Sequence, residues 1–225
     1  MNLNHNTNII QNNVHAHISK RNAYHQAGHA AAICLGNREK QLPAVHFQVT
    51  VKHSAYMSKV SCKYKAQVEG GRLLESLPPS FADATRHLSA AEQQLCRSAI
   101  EADIINLLAG PLSEAKYVAL CDGEVFNANL VYLGALQFYS GKAELEIIND
   151  LMGCYLPNRA ERKQKLAELF LASYSFINKN ANWRAITTLA EAIYLNPKEV
   201  YSCEELMALL DEPCSADKLI AVGSH

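Results

Sequence analysis

The chain has 225 residues, 49% of them hydrophobic and 19% charged, a composition typical of a folded globular protein rather than a disordered one. Its 21 basic and 22 acidic residues nearly cancel, which argues against a nucleic-acid binder or a polybasic membrane-surface protein. No apolar run approaches the roughly 18 residues of a transmembrane helix, and we expect no membrane span. The N-terminus shows no signal-peptide pattern of basic and then apolar residues.

The seven cysteines are odd in number and scattered, without a C-x-x-C pair. This usage disfavours a disulfide framework or a Cys-rich zinc module and favours reduced thiols, so we expect a cytoplasmic protein. No internal repeat or linker divides the chain. We therefore predict one domain over 19–212, with flexible polar tails at 1–18 and 213–225.

The N-terminal third predicts one helix and a small sheet. The helix covers about 21–35, with Gly36 where a C′ glycine would end it. Apolar residues then alternate with polar ones over 45–51, which indicates a strand. A partner strand is predicted at 56–64, and Gly70-Gly71 is predicted to form a turn.

The rest of the chain predicts helices, so the fold class is mostly α (α+β) with a small β-sheet or hairpin near the N-terminal third. A capping box at Ser89–Glu92 begins one helix, which Gly110-Pro111 is expected to end while starting another. Later helices are predicted over 126–138, 143–156, 160–178 and 183–195, and after a second capping box at 202–205.

His25 and His29 lie four residues apart in the predicted first helix, so both imidazoles would face one side about one turn apart. Two imidazoles at this spacing can reach one tetrahedral zinc ion. The spacing alone is weak, because two exposed helix histidines satisfy it equally well. Gly28 strengthens the interpretation as a metal site. A glycine inside a helix costs about 1 kcal/mol relative to alanine, so its presence indicates a close packing contact.

The residues around this pair extend the pattern. The segment Ala23–Ala30, AYHQAGHA, resembles the AYHEAGHA segment of the FtsH-type zinc metalloproteases at seven of eight positions. These enzymes are the peptidase part of the membrane AAA+ proteases. A second block, Leu108–Glu114, resembles the LGGRxAEE stretch of the same family, in which a helix packs near the metal helix. The resemblance covers about residues 20–140.

The resemblance implies a helical metallopeptidase-like domain that holds Zn²⁺ through His25 and His29 and cleaves peptide bonds with a zinc-activated water. The implied substrate is a peptide or unfolded protein, and Glu114 is the implied carboxylate that orients a metal-bound histidine. The chain has no G-x-x-x-x-G-K-[ST] loop, so no ATP site is expected. A homo-oligomer is compatible with the sequence.

Two positions depart from the family pattern. The general-base glutamate of H-E-x-x-H is replaced by Gln26, whose amide cannot accept a proton from zinc-bound water. The third ligand of the family, an aspartate from a later helix, falls nearest to Asn129, and a neutral amide is a poorer zinc ligand than a carboxylate. The acidic alternatives are Asp122, Glu124, Glu146 and Asp150, and a site without a third protein ligand is also left open.

Three functions therefore compete. The first is an FtsH-type zinc metallopeptidase without its ATPase, and the second is an inactive relative that keeps zinc as a structural clasp or peptide-binding surface. The third is a metal-free helical adaptor. Gln26 and Asn129 favour the second and third, and a zinc measurement separates metal-bound from metal-free protein.

Overall fold

A computed structural model of the chain describes residues 18–53, 64–76 and 78–211. Its first helix, α1, spans Lys20–Ala31 and continues through a π-helical stretch, Ala32–Gly36, into the helical turn Asn37–Glu39. The prediction that Gly36 ends the helix is wrong, because its φ of −68° is right-handed. A glycine with right-handed dihedral angles continues a helix, and the chain stays helical through Glu39.

The sheet has three antiparallel strands in the order β2-β1-β3. They are β1 at Phe47–His53, β2 at Tyr64–Gly70 and β3 at Val200–Tyr201. The strand predicted over 45–51 is confirmed by β1. The partner predicted over 56–64 lies outside the described residues except at Tyr64, where β2 begins. β2 is an edge strand, and it packs against α1.

Two helices follow the sheet, α2 at Phe81–Thr85 and α3 at Ala90–Cys121. The capping box predicted at the start of α3 is confirmed by reciprocal hydrogen bonds between Ser89 and Glu92. The break predicted at Pro111 is wrong, because α3 is one helix of 32 residues with the proline inside it. An internal proline costs about 3 kcal/mol, and the packing of both halves of α3 against α1 and the later helices offsets this cost.

The C-terminal half is a set of helices: α4 at Lys142–Tyr155, α5 at Arg159–Asn178, α6 at Asn180–Leu195 and α7 at 203–211. The helix predicted over 126–138 is wrong, because only a 3₁₀ helix at Leu133–Phe138 forms there. Upstream of it, the Asn127 side chain accepts a hydrogen bond from the Asn129 backbone N–H at 2.8 Å. This asparagine turn competes with helix formation.

The helix α1 is the centre of the fold. It packs against α3 and α6, while α5 covers α3 from another side. Residues 23–31 of α1 are all buried, and Tyr24 stacks on Tyr117 of α3 with the ring centroids 4.2 Å apart. The expected mostly-α fold with a small sheet is thereby confirmed. Among the described residues, no helix combines the length and apolar character needed to cross a membrane.

Candidate metal centre

Two histidine rings from α1 meet inside the protein. His25 and His29 are 2% and 8% exposed, and their Nε2 atoms lie 3.1 Å apart. They occupy successive turns on the face of α1 that packs against α3, because side chains four residues apart share one face of a helix. The structure thus brings the predicted pair to a single point.

The other nitrogen of each ring is already used. His29 Nδ1 lies 2.8 Å from the carbonyl oxygen of Asn106, which can only accept, so Nδ1 carries the proton. His25 Nδ1 lies 3.0 Å from Glu114 Oε2, a carboxylate that also accepts. These partners leave both Nε2 atoms as lone-pair donors in the neutral rings, which is the usual arrangement around a bound metal.

A carboxylate completes the group. Glu144, in the first turn of α4, places Oε1 3.3 Å from His25 Nε2 and 3.7 Å from His29 Nε2. Its other oxygen, Oε2, is buried without a hydrogen-bond partner among the described residues. His25, His29 and Glu144 form a group that could hold a metal ion, with the three ligand atoms within 4.8 Å of one another.

Protonation of the group without metal follows from its neighbours. Burial by itself would lower the pKa of His25, but its bonds to Glu114 and Glu144 outweigh burial and raise the pKa. Burial lowers the pKa of His29, and the positive charge of His25 lowers it further. Burial would raise the pKa of Glu144, but the two histidines hold it below its usual range. Positive charge at this point of the structure is therefore favoured by the two carboxylates Glu114 and Glu144.

Glu114 anchors this arrangement from α3. Its carboxylate is 1% exposed, and while Oε2 binds His25, Oε1 accepts a hydrogen bond from Arg21 Nε at 2.9 Å. Arg21 lies one turn before His25 on α1, so one carboxylate joins both residues to α3. Although burial would raise the pKa of Glu114, the bonds to His25 and the charge of Arg21 lower it.

Two glycines allow α1 and α3 to approach closely enough for this geometry. A Cβ on Gly28 would lie 2.4 Å from Ser113 Oγ and 2.5 Å from the Ala109 carbonyl oxygen. A Cβ on Gly110 would lie 2.2 Å from His29 Nε2. The close contact expected at Gly28 is confirmed, and Gly110 leaves the space that the His29 ring occupies.

Gln26 makes a backbone contact at the edge of the sheet. Its Oε1 accepts a hydrogen bond from the Val68 N–H at 2.7 Å. One turn earlier, Asn22 accepts from the Ala66 N–H at 2.8 Å and donates to the Ala66 carbonyl at 3.2 Å. These two amides satisfy backbone groups of β2 that face away from β1, and they fix β2 beside α1. At this position a glutamine therefore has a structural use.

The other residues considered as third ligands lie away from the group. Asn129 is exposed in the turn after α3, and the acidic alternatives are exposed as well: Asp122, Glu124, Glu146 and Asp150. Sequence reasoning missed Glu144, although a signal for it exists. Glu144 lies four residues before the buried Ile148 on the inner face of α4, whereas Glu146 and Asp150 lie on the outer face.

A groove opens beside two of the candidate ligands, His29 and Glu144. It has a volume of about 410 Å³, within the range of small-molecule and peptide sites. Its walls come from α1, the end of β2, α3 and α4. The apolar lining includes Ile33, Val68, Leu107 and Ile147, and the polar lining includes Gln26, Lys65, Arg72 and Asp103. A molecule in this groove would lie against the candidate metal group.

Comparison of the chain with protein-family models, curated proteins and solved structures gives no match.

Proposed function

We propose that the protein is a zinc-binding, FtsH-type metallopeptidase-like protein in which the metal sits between His25, His29 and Glu144. The observation that carries the proposal is the facing pair of Nε2 atoms with a carboxylate beside them. Two ligands bound to one tetrahedral zinc at 2.0–2.1 Å lie about 3.3 Å apart. The ligand atoms here are separated by 3.1, 3.3 and 3.7 Å, which matches that spacing without rearrangement.

The orphaned oxygen of Glu144 supports the same assignment. A buried carboxylate oxygen without a partner costs free energy, and a bound cation relieves this cost. The donor set of two imidazoles and one carboxylate is typical of catalytic zinc sites, which keep a fourth position open. The groove beside His29 and Glu144 supplies access to such a position.

With Gln26 at the position of the general base, the protein is proposed to bind a peptide at the metal without hydrolysing it. Zinc in such a site would polarise a peptide carbonyl, but proton transfer requires a base. Gln26 cannot supply one, and its oxygen is bound to the Val68 N–H. Asp103, the buried carboxylate in the groove, accepts hydrogen bonds from the Leu73 and Leu74 N–H groups with its two oxygens.

Metal analysis tests the zinc site directly. Purified protein from zinc-replete medium should hold close to one zinc per chain, measured by inductively coupled plasma mass spectrometry. His29→Ala and Glu144→Gln should each lower the zinc content and the affinity in a chelator competition. Glu146→Gln is the matched control, because Glu146 is an exposed carboxylate on the same helix. Protein that takes up no zinc on titration would refute the site.

A casein assay tests the missing base. The unmodified chain should show no measurable hydrolysis, since general-base catalysis contributes about 10²–10⁴-fold. Gln26→Glu should introduce chelator-sensitive activity, because one carboxylate oxygen can keep the Val68 bond while the other faces the groove. Should the variant bind zinc and stay inactive, the peptidase relationship would lose its support. Robust, chelator-sensitive proteolysis by the unmodified chain would show that another residue supplies the base.

A further inference from the structure

The mouth of the groove carries two positive charges, and an acidic group of the groove, Asp103, feels the charge of one of them, Arg72. Lys65 of β2 and Arg72, just after β2, both line the groove and are exposed. In the part of the chain that the structure describes, neither side chain forms a salt bridge or a hydrogen bond. The acidic groups of the groove are already engaged, because Glu144 contacts the two histidines and Asp103 accepts two backbone N–H bonds.

The backbone that presents Arg72 is held in place on both sides. Before it, Gly70 and Gly71 both have φ of +80°, a conformation that glycine adopts readily. A Cβ on Gly71 would lie 2.5 Å from Ile33 Cδ1, so the turn is pressed against α1. After Arg72, the N–H groups of Leu73 and Leu74 donate to the two oxygens of Asp103 at 2.9 and 3.0 Å.

The carboxylate of Asp103 is buried, and it binds the backbone of Leu73 and Leu74, directly after Arg72 at the groove. Asp103 is only 2% exposed, and burial raises its pKa against the lowering effects of the two N–H bonds and of the nearby charge of Arg72. A group this buried fixes the position of the chain that it binds. The backbone that carries Arg72 is therefore fixed beside a groove that leads to His29 and Glu144.

We infer that Arg72 anchors a carboxylate of the bound peptide, with Lys65 as a second positive charge at the same mouth. A guanidinium presents planar, paired N–H donors that match a carboxylate in two parallel hydrogen bonds. The apolar wall of the groove suits aliphatic side chains next to that carboxylate. This inference rests on the proposed function for the peptide nature of the ligand, and it adds the class of peptide: aliphatic and carboxylate-bearing.

Fluorescence anisotropy with one labelled pentapeptide of leucine and alanine tests the inference. The peptide is made as a C-terminal acid, as a C-terminal amide, and as an amide with one internal glutamate. One bidentate carboxylate pair should make a carboxylate form bind about tenfold tighter than the plain amide. Preference for the acid would identify a C-terminal carboxylate as the ligand, and preference for the glutamate form would identify an acidic side chain.

Substitutions at Arg72 test whether its charge causes the preference for the carboxylate peptides. Arg72→Gln should remove the difference between the carboxylate and amide forms, and Arg72→Lys should keep only part of it. Arg86→Gln, an exposed arginine paired with Asp83, is the matched control and should keep the full difference. The inference is overturned by equal binding of all three peptides, and also by a preference that survives Arg72→Gln, since the carboxylate would then be held elsewhere.

Zinc content is measured on the same samples, so that the zinc site and the carboxylate anchor at Arg72 are tested independently. Arg72→Gln should leave the zinc stoichiometry unchanged, because Arg72 is not in the metal group. An Arg72-dependent preference in protein that binds no zinc would support the carboxylate anchor and refute the metal proposal. One bound zinc with no carboxylate preference would support the metal proposal and refute the anchor.

Discussion

Gly110→Ala should displace His29, one of the proposed metal ligands, while leaving the fold in place. The new methyl carbon would lie 2.2 Å from His29 Nε2, 2.5 Å from Cε1 and 2.6 Å from Cδ2. An ordinary van der Waals contact to a Cβ begins at 3.4 Å, so the ring must move by about 1 Å or more. Nothing else in the described structure comes nearer to this position, which makes the imidazole the group that moves.

The expected cost falls mainly on zinc binding. Metal-ligand distances tolerate only about ±0.2 Å, and loss of an outer partner of a ligand already costs about 10–100-fold in affinity. Displacing His29 itself should therefore weaken zinc binding at least about 100-fold. Overpacking costs about 1–3 kcal/mol, and the gain in helix propensity offsets about 1 kcal/mol of it. The net loss of up to about 2 kcal/mol corresponds to a Tm fall of about 4–8 °C at most.

Chelator-competition titration measures the affinity, and thermal unfolding followed by circular dichroism measures the stability. Gly36→Ala is the matched control, because its Cβ would meet Phe176 Cε2 only at 3.7 Å and its φ is −68°. The control should keep both zinc affinity and Tm. Unchanged zinc affinity in Gly110→Ala would refute the placement of His29 and the proposed metal centre with it.

Three further outcomes follow from the same contacts. Gly28→Ala should lower the Tm, because its Cβ would meet the backbone oxygen of Ala109 at 2.5 Å, which cannot swing aside; an unchanged Tm would contradict the close packing. Zinc should dissociate on acidification, because protons compete with the metal for His25, whose pKa is raised; zinc content that does not change between about pH 7 and about pH 4 would oppose this. The pKa of Glu114 is lowered in the folded state, so its stabilisation is present above the unfolded value of about 4.3 and disappears as the pH falls through the folded value. Urea unfolding should accordingly show Glu114→Gln less stable than the unmodified protein at about pH 6, with the difference shrinking as the pH falls below about 4.3, and a pH-independent difference would contradict the ionised pairing with His25.

Local spacing was enough to find part of the site. The four-residue interval between His25 and His29 fixes their common face once the segment is helical, and Gly28 marks the close contact with α3. The capping boxes at Ser89 and Ser202 began helices where expected, because each satisfies free N–H groups using residues three apart in the chain. Such features depend on neighbours within one helical turn, so the sequence alone determines them.

Contacts between distant segments decided the remaining features. Glu144 is 115 residues beyond His29, and only the packing of α4 beside α3 and α1 brings its carboxylate to the imidazoles. Packing against α1 and the later helices keeps α3 helical through Pro111, where local preference indicates a break. From the local sequence alone, Gln26 is interpreted as a residue that replaces a catalytic base. Its side chain also accepts a hydrogen bond from the Val68 N–H, which no spacing rule predicts. Local rules place residues on a face, but the free energy of burying that face against another element selects the partner and completes the site.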